Sequence, residues 1–195
     1  MRSEPRIVAS PAGRWAVGLA KNVLWILPLV AVIWVLLTPH YNQFLVAGAE
    51  RLVRLTEHPA QTRLALGEGA RAVATRDDFG GRSQEIRRDR VTDVHFNVLL
   101  LATLFLAVPG IPSGERFGNL GIALIIAAFF HILLLAALVK FTYATQLGDY
   151  STAHFGPVAR NVYGLLAHLM DLPFKFALPL ILWAAFYLRR VPRDA

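Results

Sequence analysis

Long apolar blocks alternate with compact polar stretches along the chain. The blocks are too continuous for helices that bury one face and wet the other. Trp15 to Thr38 and Asn119 to Phe141 are apolar around most of the helical circumference, and Phe96 to Ile111 and Leu172 to Leu188 repeat the pattern more briefly. A bilayer is spanned by about 20 apolar residues in a helix, so the first and third blocks are full crossings and the other two are short ones. Pro109, Gly110 and Pro112 close the second block, while Pro173 and Pro179 mark bends in the fourth. The predicted fold is an all-α membrane protein with four transmembrane helices, at 15–38, 96–111, 119–141 and 172–188.

The polar stretches predict what lies between. In 39–95, Phe44, Leu45, Leu52 and Leu55 recur at helical spacing among Glu50, Arg51 and Arg54, which predicts an amphipathic helix along the membrane surface from Tyr41 until Pro59 stops it. Gly67-Glu68-Gly69 then divides two alternating runs, a hairpin with strands near Arg63 to Leu66 and Ala70 to Thr75. Two strands alone are marginal, so this hairpin needs the membrane surface, Ile86 to Phe96, or a partner protein behind it. Residues 112–118 form a tight turn. In 142–171 a polar, aromatic loop leads to a second interfacial helix, where Val158, Val162, Leu165, Leu166 and Leu169 line up opposite Arg160, Asn161 and His168.

Composition agrees with lipid as solvent: 55% of the 195 residues are hydrophobic, the mean hydropathy is +0.47, and so short a chain cannot enclose such helices by itself. The net charge of +7 is concentrated at the ends, with Arg2, Arg6 and Arg14 before the first block and Arg189, Arg190 and Arg193 after the last. Basic flanks are retained in the cytoplasm. Four crossings therefore place the tails 1–14 and 189–195 on that side and export 39–95, whose nine Arg and eight Asp and Glu nearly balance. No basic segment interleaves with stacking aromatics, so the charge does not point to nucleic acid. Cysteine is absent, which excludes disulfides, thiolate ligands and cysteine nucleophiles.

Candidate chemistry is sparse. No serine elbow, phosphate-binding loop, HExxH or dinucleotide fingerprint occurs, so no catalytic or metal-binding residue is assigned and the chain is not read as an enzyme. His40, His95, His154 and His168 fall at the exported interface, and His131 lies mid-span without a second intramembrane histidine. His131 is the one cofactor-binding candidate, as a ligand for haem iron or a contact for a quinone. The competing reading hydrogen-bonds it to Thr103 or Asn97 on a neighbouring helix, with no cofactor. Lys175 sits nearest to a bilayer-embedded charge, and Asp171, four residues earlier, offers it a partner. Arg76-Asp77-Asp78 and Glu85 to Asp93 gather carboxylates, but the interleaved arginines read as a salt-bridged surface. With no charge at a bilayer centre and no internal repeat, a small transporter is the third reading.

Trp25-Ile26-Leu27-Pro28, the amphipathic Tyr41 to Leu55, Phe96-Asn97 leading to Pro109, and Ala177-Leu178-Pro179 with Trp183 give an order of parts that resembles the exosortase H-associated membrane proteins. The resemblance covers most of the chain at the level of layout. It implies an accessory partner of an exosortase, the membrane transpeptidase-like enzyme of Gram-negative protein sorting, and hence a multi-pass protein of the bacterial inner membrane. Exosortases resemble sortases in using a cysteine nucleophile, so no catalytic residue carries over to this chain.

Overall fold

The structure is a computed structural model describing residues 10–79 and 83–191, with the side chains of 79 and 83–89 left out of the description. Arg2, Arg6 and Arg193 of the expected tails, Arg82, and the side chains of Glu85 to Asp89 lie outside the described residues.

Helix α1 (Pro11–Leu55) opens with Ser10 as cap, its hydroxyl accepting the Gly13 N–H at 3.2 Å, and with Pro11 where a missing N–H costs nothing. The helix then runs unbroken through Pro28 and Pro39. This corrects the expected end at Thr38 and the separate helix from Tyr41. Proline leaves the carbonyl four residues back without its donor, and both Pro39 and Val35 are exposed rather than packed inside the fold. The stripe assigned to the membrane surface is divided instead: Leu45 is fully buried and Leu52 partly so, while Phe44 and Leu55 are exposed.

Strands β1 (Arg63–Leu66) and β2 (Arg71–Thr75) form the expected hairpin, with Gly69 at φ +66° in its turn. Its support comes from the chain itself. Strand β3 (Ser83–Arg90) pairs antiparallel with β2, giving the order β1-β2-β3 with an irregularity between Arg71 and Val73. The Leu64 N–H donates to Glu50 Oε2 at 2.8 Å, which ties the sheet to α1.

After the sheet come α2 (Val91–His95) and α3 (Asn97–Ala107), then α4 (Ser113–Thr145), so the expected turn at 112–118 is already helical and the reversal occupies 108–112. Arg116 fastens that reversal by donating to the carbonyls of Ile111 and Leu106, each at 2.8 Å. The expected loop at 142–157 is replaced by the end of α4 and a short α5 (Asp149–His154). Then α6 (Pro157–Leu169) passes through a π-helical turn at Met170–Phe174, which contains Pro173, into α7 (Lys175–Tyr187). Pro179 is buried within α7.

Among the described residues three helical stretches are long and apolar enough to cross a membrane: α1, α4 and the continuous Pro157–Arg190, while Val91–Ala107 is a shorter apolar helix. Two cores hold them together. One, at the sheet end, joins Leu45, Val53, Ala74, Val94, Leu134 and Tyr143. The other, at the opposite end, joins Leu101, Phe105, Leu120, Leu182 and Tyr187. Within the sheet-end core α1 and α4 approach closely at Gly48, where a Cβ would stand 2.7 Å from Ile132 Cδ1.

Candidate functional site

His131 faces inward from α4 and is fully buried. Asn97 on α3 donates its amide to the Lys175 carbonyl at 2.7 Å, which turns Oδ1 toward His131 Nε2 at 2.9 Å. An amide oxygen only accepts, so Nε2 carries the proton and Nδ1 presents its lone pair to the Tyr41 hydroxyl, 3.0 Å away. Thr103 instead donates to the Leu99 carbonyl and takes no part.

The second histidine that the sequence placed at the interface is here. His95, fully buried, lies with its ring centroid 6.3 Å from that of His131. The Tyr41 ring stands edge-on to it at 4.8 Å. Asn42 donates to Thr92 Oγ1 at 3.2 Å and receives His95 Nε2 on its Oδ1 at 2.7 Å. With Nε2 donating, the His95 Nδ1 lone pair has no hydrogen-bond partner among the described residues, and neither has the Trp34 Nε1–H. The other histidines do not converge on this site. His154 stacks on Tyr150 at 4.2 Å, His168 bonds the Gly164 carbonyl of its own helix, and His40 is exposed. Asp171 does pair with Lys175, Oδ1 to Nζ 2.7 Å, and the ammonium lies 5.6 Å from the ring centres of both Phe96 and Phe176.

Bis-histidine ligation of haem needs one free nitrogen from each of two rings aimed at a common iron. Both nitrogens of His131 are engaged, by Tyr41 and Asn97, and the Tyr41 ring packs edge-on against both imidazoles. These residues do not fit a haem held between the two histidines. A groove fits the surroundings better. About 350 Å³ of space lies between α1, α3 and α4, walled almost wholly by apolar side chains such as Val30, Leu37, Ala102, Leu106 and Leu120, with Trp34, Tyr41 and His95 also in its wall. Ligand pockets typically begin at about 300 Å³ and combine apolar walls with a few placed polar groups.

A second polar cluster sits in the head formed by the sheet and the helix ends. Arg76, its side chain only 10% exposed, grips Asp78 through Nε and Nη2 at 2.8 Å each and pairs with Glu57. It also donates to Gln61 and Thr62, and its guanidinium lies 5.5 and 5.6 Å from the ring centres of Tyr143 and Tyr150. Burial would raise the Glu57 carboxyl, but hydrogen bonds from Thr62 and the charges of Lys140 and Arg76 outweigh it and hold the group below its ordinary value. Asp78 is held low chiefly by the hydrogen bonds from Arg76. Arg76 thus directs donors at Glu57, Asp78, Thr62 and Gln61 at once, so the cluster works as a brace, pinning β2 to the end of α1 and the aromatic face of α4. Asp78, which the sequence reading set among clustered carboxylates, has both oxygens engaged by Arg76.

Of the residues in this buried network, His131, His95 and Asn97 are the ones the sequence singles out, although it does not join the two histidines, and Trp34 and Asn42 carry no signal there. A comparison of the chain with family models, with curated proteins and with solved structures finds no match to any of them.

Proposed function

We propose that this chain is a non-catalytic accessory subunit of the bacterial inner membrane, crossing it four times with both termini cytoplasmic, and that it holds a membrane partner against α6. Support for a fourth crossing comes from where α2 and α3 begin and end. At one end Asn97 meets Lys175 and His131; at the other the Ala107 carbonyl receives the Asn22 amide at 2.9 Å and Pro109 lies 3.6 Å from where a Gly18 Cβ would be. The pair therefore runs alongside α1 and α4 between those two levels, which supports reading it as a short fourth crossing.

The observation that carries the docking role is the facing of α6. Its small residues point at the protein, with Ala167 buried and Gly164 against Phe141 of α4. Its apolar stripe points away, and Val158, Val162 and Leu165 are 76, 56 and 63% exposed. On α4 the exposed large apolar residues stop at Leu133, and Phe141 lies about 12 Å further along at ~1.5 Å per residue. The stripe thus lies on the outer side of α6, whose inner side helps cover the stretch of α4 beyond Leu133, where Leu134 to Val139 are buried. An apolar helix of a partner, continuing out of the bilayer beside α6, is the occupant that matches it. The resemblance in layout adds the reading that this partner is an exosortase-type sorting enzyme.

A photo-crosslinking residue at Val162 in the intact membrane should capture protein, while the same residue at Ile125, within the exposed belt of α4, should capture lipid. Capture of lipid alone at Val162 would overturn the docking role.

A further inference from the structure

Burying a hydrogen-bonding group without a partner is costly, because the group gives up its bond to water and gains nothing in return. Two residues that line the apolar groove each carry such a group, one a donor and one an acceptor: Trp34 on α1, through Nε1–H, and His95 on α2, through its Nδ1 lone pair, with ring centroids 5.9 Å apart. The surrounding polar groups do not satisfy them. Tyr41 gives its proton to His131, and Thr38 gives its own to the Trp34 carbonyl at 2.7 Å. Asn42 is committed to Thr92 and to the other nitrogen of His95.

From this we infer that the groove binds an amphiphile with a long apolar chain and a hydroxyl-bearing head. The chain lies along Val30, Leu37, Ala102, Leu106 and Leu120, and the hydroxyl oxygen accepts from Trp34 Nε1–H while its proton goes to His95 Nδ1. A hydroxyl is the smallest group that answers both needs, since it donates once and accepts at the same oxygen. A carbonyl answers only Trp34 and an ammonium only His95. At hydrogen-bond lengths of about 2.9 Å, and with the O–H and lone-pair directions about 109° apart, one hydroxyl oxygen bridges two nitrogens roughly 4.7 Å apart. Both nitrogens are covered by neighbouring side chains, so the head reaches them through a rotamer shift at the groove wall. The α1 side of the groove is suited to that adjustment, because only 6% of the apolar window of α1 is buried. Two sources share this chemistry: a lipid-soluble hydroquinone and a long-chain or isoprenoid alcohol. The site is independent of the partner surface on α6.

The full chain, reconstituted in lipid nanodiscs with ¹⁵N-labelled tryptophan, tests the inference by the indole N–H resonance of Trp34, assigned by its loss in Trp34→Phe. The titrants are decylhydroquinone, 1-dodecanol and dodecane. The expected result is a saturable downfield shift with one or both hydroxyl compounds, none with dodecane, and affinity about tenfold weaker in Trp34→Phe, as the loss of one hydrogen bond predicts. That last affinity is read from the bound ligand. Ala102→Phe, which fills the groove and leaves both nitrogens in place, should abolish the shift. Preference for decylhydroquinone over dodecanol assigns the site to a quinol, and equal affinity assigns it to an aliphatic alcohol. Equal binding of dodecane, or no shift of the Trp34 resonance with either hydroxyl compound, overturns the inference.

Discussion

Replacing Arg76 by methionine keeps much of the side-chain volume between Tyr143 and Tyr150 while deleting the charge. Glu57, whose side chain is 6% exposed, would keep Thr62 and a longer contact to Lys140 at 3.4 Å, whereas Asp78, 32% exposed, would be rehydrated. Removing one partner of a buried ion pair costs about 3–5 kcal/mol. The remaining Lys140 and the wetted Asp78 place this case at about 3 kcal/mol. For a chain of this size 1 kcal/mol moves Tm by roughly 2–4 °C, so Arg76→Met should lower it by about 6–12 °C in thermal unfolding of the detergent-solubilised protein.

The charge argument makes two further demands. Glu57→Gln should be destabilising alone yet cost at least 1 kcal/mol less in the Arg76→Met background, since a neutral amide no longer needs a cation. The second concerns pH. Glu57 and Asp78 are both held below their ordinary values, so their stabilising contribution is complete above those values, 4.5 and 3.8, and disappears as pH falls through the lower folded ones. The parent protein should therefore lose stability more steeply than Arg76→Met as pH falls from 5 to 3. An Arg76→Met protein within 0.5 kcal/mol of the parent, strict additivity with Glu57→Gln, or parallel pH profiles would refute the brace.

Gly48→Ala should cost about 1–3 kcal/mol by forcing Ile132 aside, and Ile132→Ala should relieve most of it, read as Tm of the two single variants and the double. His131→Phe strips Asn97 Oδ1 and the Tyr41 hydroxyl of their partner and should cost roughly 1–3 kcal/mol, while in the parent a nitrogen NMR spectrum should show the proton on Nε2 of His131. For topology, a cysteine introduced at Gln61 should react with an impermeant maleimide from the exported side of intact cells, and one at Arg189 only after permeabilisation.

The apolar pattern made the helices legible and hid the way they are assembled. The third block was recognised because Ile122, Ile125, Ile126 and Phe129 face outward and are exposed. The sheet-end core instead rests heavily on alanines, including Ala49, Ala72, Ala74, Ala136 and Ala137, each at most 5% exposed. Alanine has little hydropathy in either direction, so a core that uses it to bring helix and sheet close leaves no periodic signal. For the same reason Pro39 read as the end of a helix: its local cost is visible in sequence, whereas the packing of Leu45, Ala49 and Val53 that carries α1 onward is tertiary.

The histidine pair is a product of packing that the apolar blocks do not display. Asn97 opens α3 whereas His131 lies past the midpoint of α4, so the reversal at 108–112 does not by itself set the two level. His95, two residues before Asn97, comes to His131 with it. The distance of a histidine from the edge of its own apolar block therefore misplaces it when a short helix and a long one share a reversal. The short α3 and the 33-residue α4 differ by several turns, and the surplus of α4 carries the head. The same mismatch packs the start of α3 against the middle of α4, burying His95 beside Trp34 and Tyr41 with one of its nitrogens unpartnered among the described residues, in the wall of a groove lined by hydrocarbon.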